Sequence, residues 1–282
     1  MKKYFSIKIM CKTLGISRAA YYKHMHRKPS KWEKEDKILD KRIYQEYKDS
    51  KGIYGAPKIC EKLMKKGFNP SLKRVQRRMK KMNIKSIIIK KWKAYNTSKK
   101  RVEQKENLIK ENFTASTINE KWLTDITYIY TLEDGWCYLA SVFDCYSAKI
   151  IGWCFSKNID ASMALQAIKN AVNSQNPNYE TLIIHSDLGS QYTSSEVEGY
   201  FNELGIRHSY SKKGYPYDNS PQESFHASLK KEEKLMNKYK NFYKAKICIF
   251  QYIEAWYNRK RIHSRSGFIT PQQYEDIARK SA

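Results

Sequence analysis

The chain has 282 residues, 41% of them hydrophobic, which is enough for two or three domains and at least one sizeable core. No run of about 18 apolar residues occurs, which argues against a membrane-spanning helix. None of the six cysteines pairs at C-x-x-C spacing, which argues against a zinc ribbon or a redox motif.

The net charge of +26 is unevenly placed. Residues 1–110 hold 34 Lys and Arg against 9 Asp and Glu, a net +25, while residues 111–282 hold 20 against 19, a net +1. A genome rich in Lys codons would raise the total but would not empty one half of net charge. A basic front half on a nearly neutral back half fits a polyanion-binding arm joined to a core. Lys8 and Lys12 interrupt any apolar run behind the basic N-terminus, so no signal peptide is expected. Unpaired cysteines suit a reducing cytoplasm, with nucleoid association when the chain is on DNA.

Residues 1–30 read as a small helix-turn-helix. An apolar run through Ile9, Met10 and Leu14 stops at Gly15, Ser17 can cap the next helix, and Arg18 begins it. Residues 31–84 read as a basic helix-turn-helix DNA-binding domain. Ile38, Leu39, Ile43 and Tyr47 recur at helical spacing, Pro57 suits a first turn, Gly67 a stop, and Ser71 a cap. The helix after Ser71 has Leu72, Val75, Met79 and Met82 on one face. Lys73, Arg74, Arg77, Arg78, Lys80 and Lys81 cover the rest. Such crowded charge repels itself unless a phosphate backbone relieves it. Lys73, Arg74, Arg77, Arg78 and Lys81, with Arg18, are therefore the expected DNA contacts. Residues 85–115, Lys-rich and polar after Ile87, Ile88 and Ile89, read as a basic linker.

From residue 116 to 240 the pattern changes. Residues 122–131, 136–146 and 149–157 are rich in Ile, Tyr, Trp, Val and Phe, and Glu133-Asp134-Gly135 and Ser147-Ala148 separate them. They read as an antiparallel meander. A helix follows Asp160, then a strand over 181–187, a helix from Ser194 or Ser195 to Leu204, a short strand over 206–211, and a helix from about Ser220 to Lys234. Residues 241–282 read as a long aromatic helix to about 260 and a basic loop from Tyr257 to Arg265. The order resembles the ribonuclease-H-like core: an α/β fold with a mixed five-stranded sheet, preceded by all-α helix-turn-helix modules. In that fold the fourth strand lies parallel and adjacent to the first.

Three acids then fall together. Asp125 lies inside the first strand, where Asp is depleted. Asp187 ends the fourth strand in His185-Ser186-Asp187-Leu188-Gly189, and Glu223 begins the following helix. Hard oxygen ligands suit Mg²⁺ or Mn²⁺. Two such ions can activate a water or a 3′-hydroxyl and stabilise the leaving oxygen. Asp144 reads as a structural turn acid. Asn219 reads as positioning the loop and capping the Glu223 helix. His185 and His208 are poor candidates for a hard metal, and His185 is expected to support the site.

Residues 120–275 resemble the integrase-type catalytic core of bacterial insertion-sequence transposases of the two-reading-frame group, related to retroviral integrases. The resemblance is carried by Trp122-Leu123-Thr124-Asp125-Ile126-Thr127, His185 through Tyr192, Gly214 through Asn219 with Glu223-Ser224-Phe225, and Tyr257-Asn258 through Thr270-Pro271. Residues 38–84, with Tyr54-Gly55, are similar to the helix-turn-helix that precedes that core. The resemblance implies that Asp125, Asp187 and Glu223 are the DDE triad, as catalytic residues and metal ligands. It implies that Lys230, seven residues after Glu223, contacts the DNA end; seven helical residues turn through about 700°, so the two share a face. It further implies metal-dependent cleavage at transposon ends and strand transfer into double-stranded target DNA, a homo-oligomer on DNA and no membrane partner. An upstream-frame partner also follows, the chain being the downstream-frame product. Ile262 and Ser266 stand where the group usually has Pro and Leu, which suggests a looser C-terminal loop. The rival readings are a non-catalytic DNA-binding regulator of transposition and a ribonuclease H acting on hybrids.

Overall fold

A computed structural model describes residues 6–87, 106–211, 219–234 and 238–281. Residues 212–218 and most of the segment read as a basic linker, 88–105, lie outside the described residues. The chain divides into two compact units, Met1–Ser86 and Ile87–Ala282.

The first unit is helical: α1 Ile7–Thr13, α2 Arg18–Met25, α3 Lys31–Asp49, α4 Ala56–Lys65 and α5 Leu72–Lys81. Serines set four of the five starts. Ser6, Ser17, Ser30 and Ser71 each accept a bond from a backbone N–H of the first turn, and Ser30 forms a full capping box with Glu33. α4 starts instead on Gly55 with Pro57 in the first turn. Leu39, Ile43, Ile59, Leu63, Val75 and Met79 close a core among α3, α4 and α5. In α1 and α2 only Cys11 is buried.

α3 and α5 are also joined by charge. Arg74 donates to Asp36 Oδ1 from Nε at 3.1 Å and from Nη2 at 2.8 Å. Arg78 donates to Asp36 Oδ2 at 2.8 Å and grips both oxygens of Asp40. The Arg74 guanidinium also lies over the Trp32 ring, 4.6 Å from its centroid.

The second unit carries the sheet: β1 Lys121–Thr131, β2 Gly135–Asp144, β3 Ile150–Ser156, β4 Ile183–Ser186 and β5 Arg207–Tyr210, in spatial order β3-β2-β1-β4-β5. β1 is antiparallel to β2 and parallel to β4, and β4 is parallel to β5. The mixed sheet and its element order are those expected of the ribonuclease-H-like core. Alternation along each strand divides the core in two. Trp122, Ala140, Val142 and Ile184 face α6 (Ala161–Gln175) and α7 (Ser195–Leu204). Leu123, Ile129, Leu139 and Phe143 face the other way. They meet Phe225 and Leu229 of α8 (Ser220–Leu229) and Ala245 and Ile249 of α9 (Phe242–Phe250). Gly152 lets α6 approach β3: a Cβ there would lie 2.5 Å from Ala167 O and from Ala171 N.

Beyond Leu229 the structure departs from the sequence expectation. α8 and α9 do not run on as uniform α-helices: each widens into π-type turns, over Lys230–Lys234 and Gln251–Tyr257. The segment from Tyr257 to Arg265 is not simply a basic surface loop. Arg261 pairs with Glu232, 3% exposed, at 2.9–3.1 Å, and Tyr252 Oη and Trp256 Nε1 donate to the same carboxylate at 3.0 and 3.1 Å. The last residues form α10, Pro271–Ser281, fastened by Glu275, which binds Lys149 and Arg279. Residues 242–257 thus share one core with the sheet. Asp144 has the turn role read for it: Ser147 N, Ser147 Oγ and Asn119 N donate to it at 2.8, 2.7 and 3.1 Å.

Candidate active site

The β1–β4 register aligns the first two acids. Lys121 pairs with Ile183, Trp122 with Ile184 and Leu123 with His185. Two residues further, the same register sets Asp125 level with Asp187, just past the end of β4. Asp125 shares the strand face of Leu123 and Ile129, against which α8 packs. Glu223 is in the first turn of α8.

The electrostatics tie the three together. Asp187 is held above the ordinary carboxyl range, first by the protein that shields one side of it, then by the charge of Asp125, against the pull of the Gly189 N–H. Its other side stays open to solvent. Glu223, also exposed, is raised by desolvation and then by the same Asp125 charge. Like charges gathered at one place cost energy until a cation arrives. The set is open: among the described residues no three or more His, Cys, Asp or Glu stand close enough to hold an ion. The donors are carboxylate oxygens, the ligand type that a hard divalent cation takes.

Local structure holds each acid. Asp187 Oδ1 accepts from Gly189 N at 2.9 Å, and a Cβ on residue 189 would lie 2.8 Å from that oxygen, so a larger residue there would displace the Asp187 carboxylate. Tyr192, 1% exposed, bonds Thr124 Oγ1 through its hydroxyl at 3.0 Å and so links the turn after Asp187 to the strand of Asp125. Asp125 Oδ1 accepts from Ile126 N at 2.8 Å.

The supporting residues read from the sequence fall near this place, with one correction. His185, 1% exposed, bonds Ser209 Oγ at 2.8 Å and joins β4 to β5. Asn219 stands at the N-cap position of α8 but makes no side-chain cap; Nδ2 donates to Thr124 O at 3.4 Å instead. Its amide is drawn to β1 because that carbonyl lies within reach beside it. Lys230 is exposed just past Leu229, the last residue of α8, and opens the π-type turns.

Three buried residues were missed by sequence reasoning: His226, Gln222 and Ser141. His226 Nδ1 stands 3.5 Å from Asp125 Oδ2. The signal was its place three residues after Glu223, one turn along the same helix.

On the basic helix α5, the candidate DNA contacts separate. Lys73, Arg77 and Lys81 are exposed. Arg74 and Arg78, 21% and 13% exposed at their side chains, are engaged by Asp36 and Asp40. Assigning those two to DNA therefore overlooked acids 38 residues away in sequence. Arg18 is exposed at the first position of α2. No helix among the described residues is long and apolar enough to cross a membrane.

Comparison with known proteins places these features. Residues 33–92 match the HTH-like domain family, and residues 115–216 and 223–278 match two integrase core domain families. The chain is 38% identical over 254 residues to the transposase for insertion sequence element IS904 of Lactococcus lactis subsp. lactis (strain IL1403), an alignment covering 89% of this chain and 98% of that protein. It is 33% identical over 275 residues to transposase InsF for insertion sequence IS3A of Escherichia coli (strain K12), covering 96% and 94%. Among solved structures it is similar to the simian T-cell lymphotropic virus intasome in complex with PP2A regulatory subunit B56 gamma. There the TM-score is 0.47 and the identity 18%, over 64% of this chain and 59% of that one. It is also similar to the HTLV-2 integrase catalytic core domain in complex with magnesium (trimeric form), with TM-score 0.45 and 15% identity, over 57% and 99%.

Proposed function

From the premise that the chain belongs to the insertion-sequence transposases with an integrase core domain, we propose that Asp125, Asp187 and Glu223 are its catalytic triad. The reaction is phosphodiester cleavage at the ends of the element, followed by strand transfer into target DNA. The observation that carries this reading is the parallel β1–β4 register, which sets Asp125 level with Asp187 just past the end of β4, with Glu223 raised by desolvation and then by the charge of Asp125.

The triad would hold Mg²⁺ or Mn²⁺, in two ions. When bound, the metal supplies charge stabilisation at the phosphoryl oxygens and a more acidic attacking water or hydroxyl. The residues do the rest. Asp125 and Asp187, fixed by Ile126 N–H and Gly189 N–H, present their remaining oxygens at one level. Glu223 is brought to them by α8. Lys230 binds a phosphate of the DNA end two turns along that helix. Water attacks phosphorus in line and the P–O3′ bond breaks, leaving a 3′-hydroxyl. That hydroxyl then attacks a target phosphodiester in the same way, with no covalent enzyme intermediate.

α5 presents Lys73, Arg77 and Lys81 to phosphates, and Arg18 extends the basic surface of α2. The protein acts as a homo-oligomer on paired ends, with an upstream-frame protein as a further partner. The test is Mg²⁺-dependent strand transfer on a labelled element end. Asp187→Asn is expected to abolish it without loss of DNA binding. Equal activity in that variant would end the triad assignment, whereas DNA binding without any strand transfer by the wild-type chain would favour a DNA-binding regulator.

A further inference from the structure

α8 faces the β1–β2 pair with two buried polar side chains, Gln222 and His226, on either side of the exposed Glu223. Ser141 on β2 is the register partner of Asp125. Gln222, fully buried, donates from Nε2 to Ser141 O at 2.8 Å and to Ser141 Oγ at 2.6 Å. A backbone carbonyl only accepts, so the atom facing it is the amide nitrogen, and the orientation of the Gln222 amide follows from chemistry. The amide keeps this orientation although its Oε1 has no hydrogen-bond partner. The Ser141 hydroxyl therefore accepts from Gln222, and its own proton is left for Nε2 of His226, 3.0 Å away. An imidazole that accepts at Nε2 carries its proton on Nδ1. Nδ1 is the atom 3.5 Å from Asp125 Oδ2. The opposite tautomer would turn a lone pair toward the carboxylate, and an imidazolium would present the same N–H.

We propose that Gln222, Ser141 and His226 form a positioning relay that delivers an N–H to Asp125. The relay orients Oδ2 while Ile126 N–H holds Oδ1. Gln222 and His226 flank Glu223 on α8, so the same bonds set the helix of Glu223 against the strand of Asp125. His226 is a positioning residue that acts through Asp125. The inference rests on Asp125 being one of the triad acids. Partners of this kind around a metal ligand typically contribute about 10–100-fold in metal affinity or activity.

Two readouts test it on the full chain. The first is ¹⁵N NMR of the histidine-labelled protein, in which His226 is expected to show a protonated Nδ1 and to lose its ordered ring signal in Ser141→Ala. A His226 ring with a bare Nδ1 would overturn the relay. The second is Mn²⁺ titration, with the half-saturating metal concentration of strand transfer measured beside it. His226→Leu is expected to raise both by about 10–100-fold while the rate at saturating metal largely returns. His226→Asn, which can place an amide N–H near the Nδ1 position, is expected to recover most of the affinity. A folded His226→Leu protein with unchanged metal affinity would overturn the relay. If that variant does not fold, the wild-type tautomer decides alone. Asp125→Asn separates the premise: wild-type activity there would refute the triad. Loss there, with no shift in His226→Leu, would refute the relay only.

Discussion

In the N-terminal unit, Arg74 and Arg78 each face aspartates of α3, whereas in the C-terminal unit Asp187 and Glu223 each face the like charge of Asp125. The first arrangement cancels charge within the fold. Asp36 is held below the usual carboxyl range, first by its bond to Arg74 and then by the charges of Arg78 and Arg74. The second arrangement sets like charges on the middle of β1 and just past the end of β4, where they cost stability until a cation is bound. Charge that is cancelled locally builds structure; charge left gathered and opposed is what remains for a ligand.

Arg78→Ala should break this comparison most strongly, because it leaves Asp36 and Asp40 without their shared partner. A fully buried pair broken on one side costs about 3–5 kcal/mol. Here the acids keep about a quarter of their surface, so roughly 1–3 kcal/mol is expected, read as a lower unfolding midpoint of residues 1–86. The contribution of Asp36 is present above its ordinary carboxyl range and is lost as pH falls through its depressed value. The wild-type and Arg78→Ala midpoints should therefore converge in acid. An Arg78→Ala protein of unchanged stability with weakened DNA binding would return Arg78 to the DNA contacts.

Arg77→Ala, on the exposed side of the same helix, should do the reverse. Stability should stay within about 0.5 kcal/mol, while the salt dependence of DNA binding should drop by about one unit of slope. Binding isotherms at several salt concentrations measure this directly. An unchanged slope would remove Arg77 from the interface.

The smallest effect concerns the core without metal. Asp187 and Glu223 are raised acids, so the folded state binds more protons than the unfolded one just above the ordinary carboxyl range. Stability should then fall as pH rises through that window. Asp125→Asn removes the charge that raises both and should flatten this fall. Thermal melts at a series of pH values in a chelator check it, and identical pH dependence in both proteins would show that Asp125 does not couple to the other two.

Much of this contrast was legible in the sequence, for stated reasons. An acid inside an aromatic, β-branched strand is unusual, and the element order implied that Asp187 would end a parallel neighbour. The caps Ser17 and Ser71 fixed two helix starts locally. What escaped depends on distance in sequence. A helical pattern shows that Arg74 and Arg78 lie beside the basic face of α5, but not that Asp36 and Asp40 on another helix will claim them. The same holds for Arg261, which reads as loop charge until Glu232 is seen beneath it. His226 escaped because its meaning depends on Ser141, 85 residues earlier.

The central claim is that three separate carboxylates make one metal site. Crystals of the full chain on an element end, grown with Mn²⁺ and examined by anomalous diffraction, test it most directly. The account predicts anomalous peaks bounded by oxygens of Asp125, Asp187 and Glu223, at about 2.0–2.3 Å. Peaks confined to other residues, with these three carboxylates unligated at saturating Mn²⁺, would contradict it.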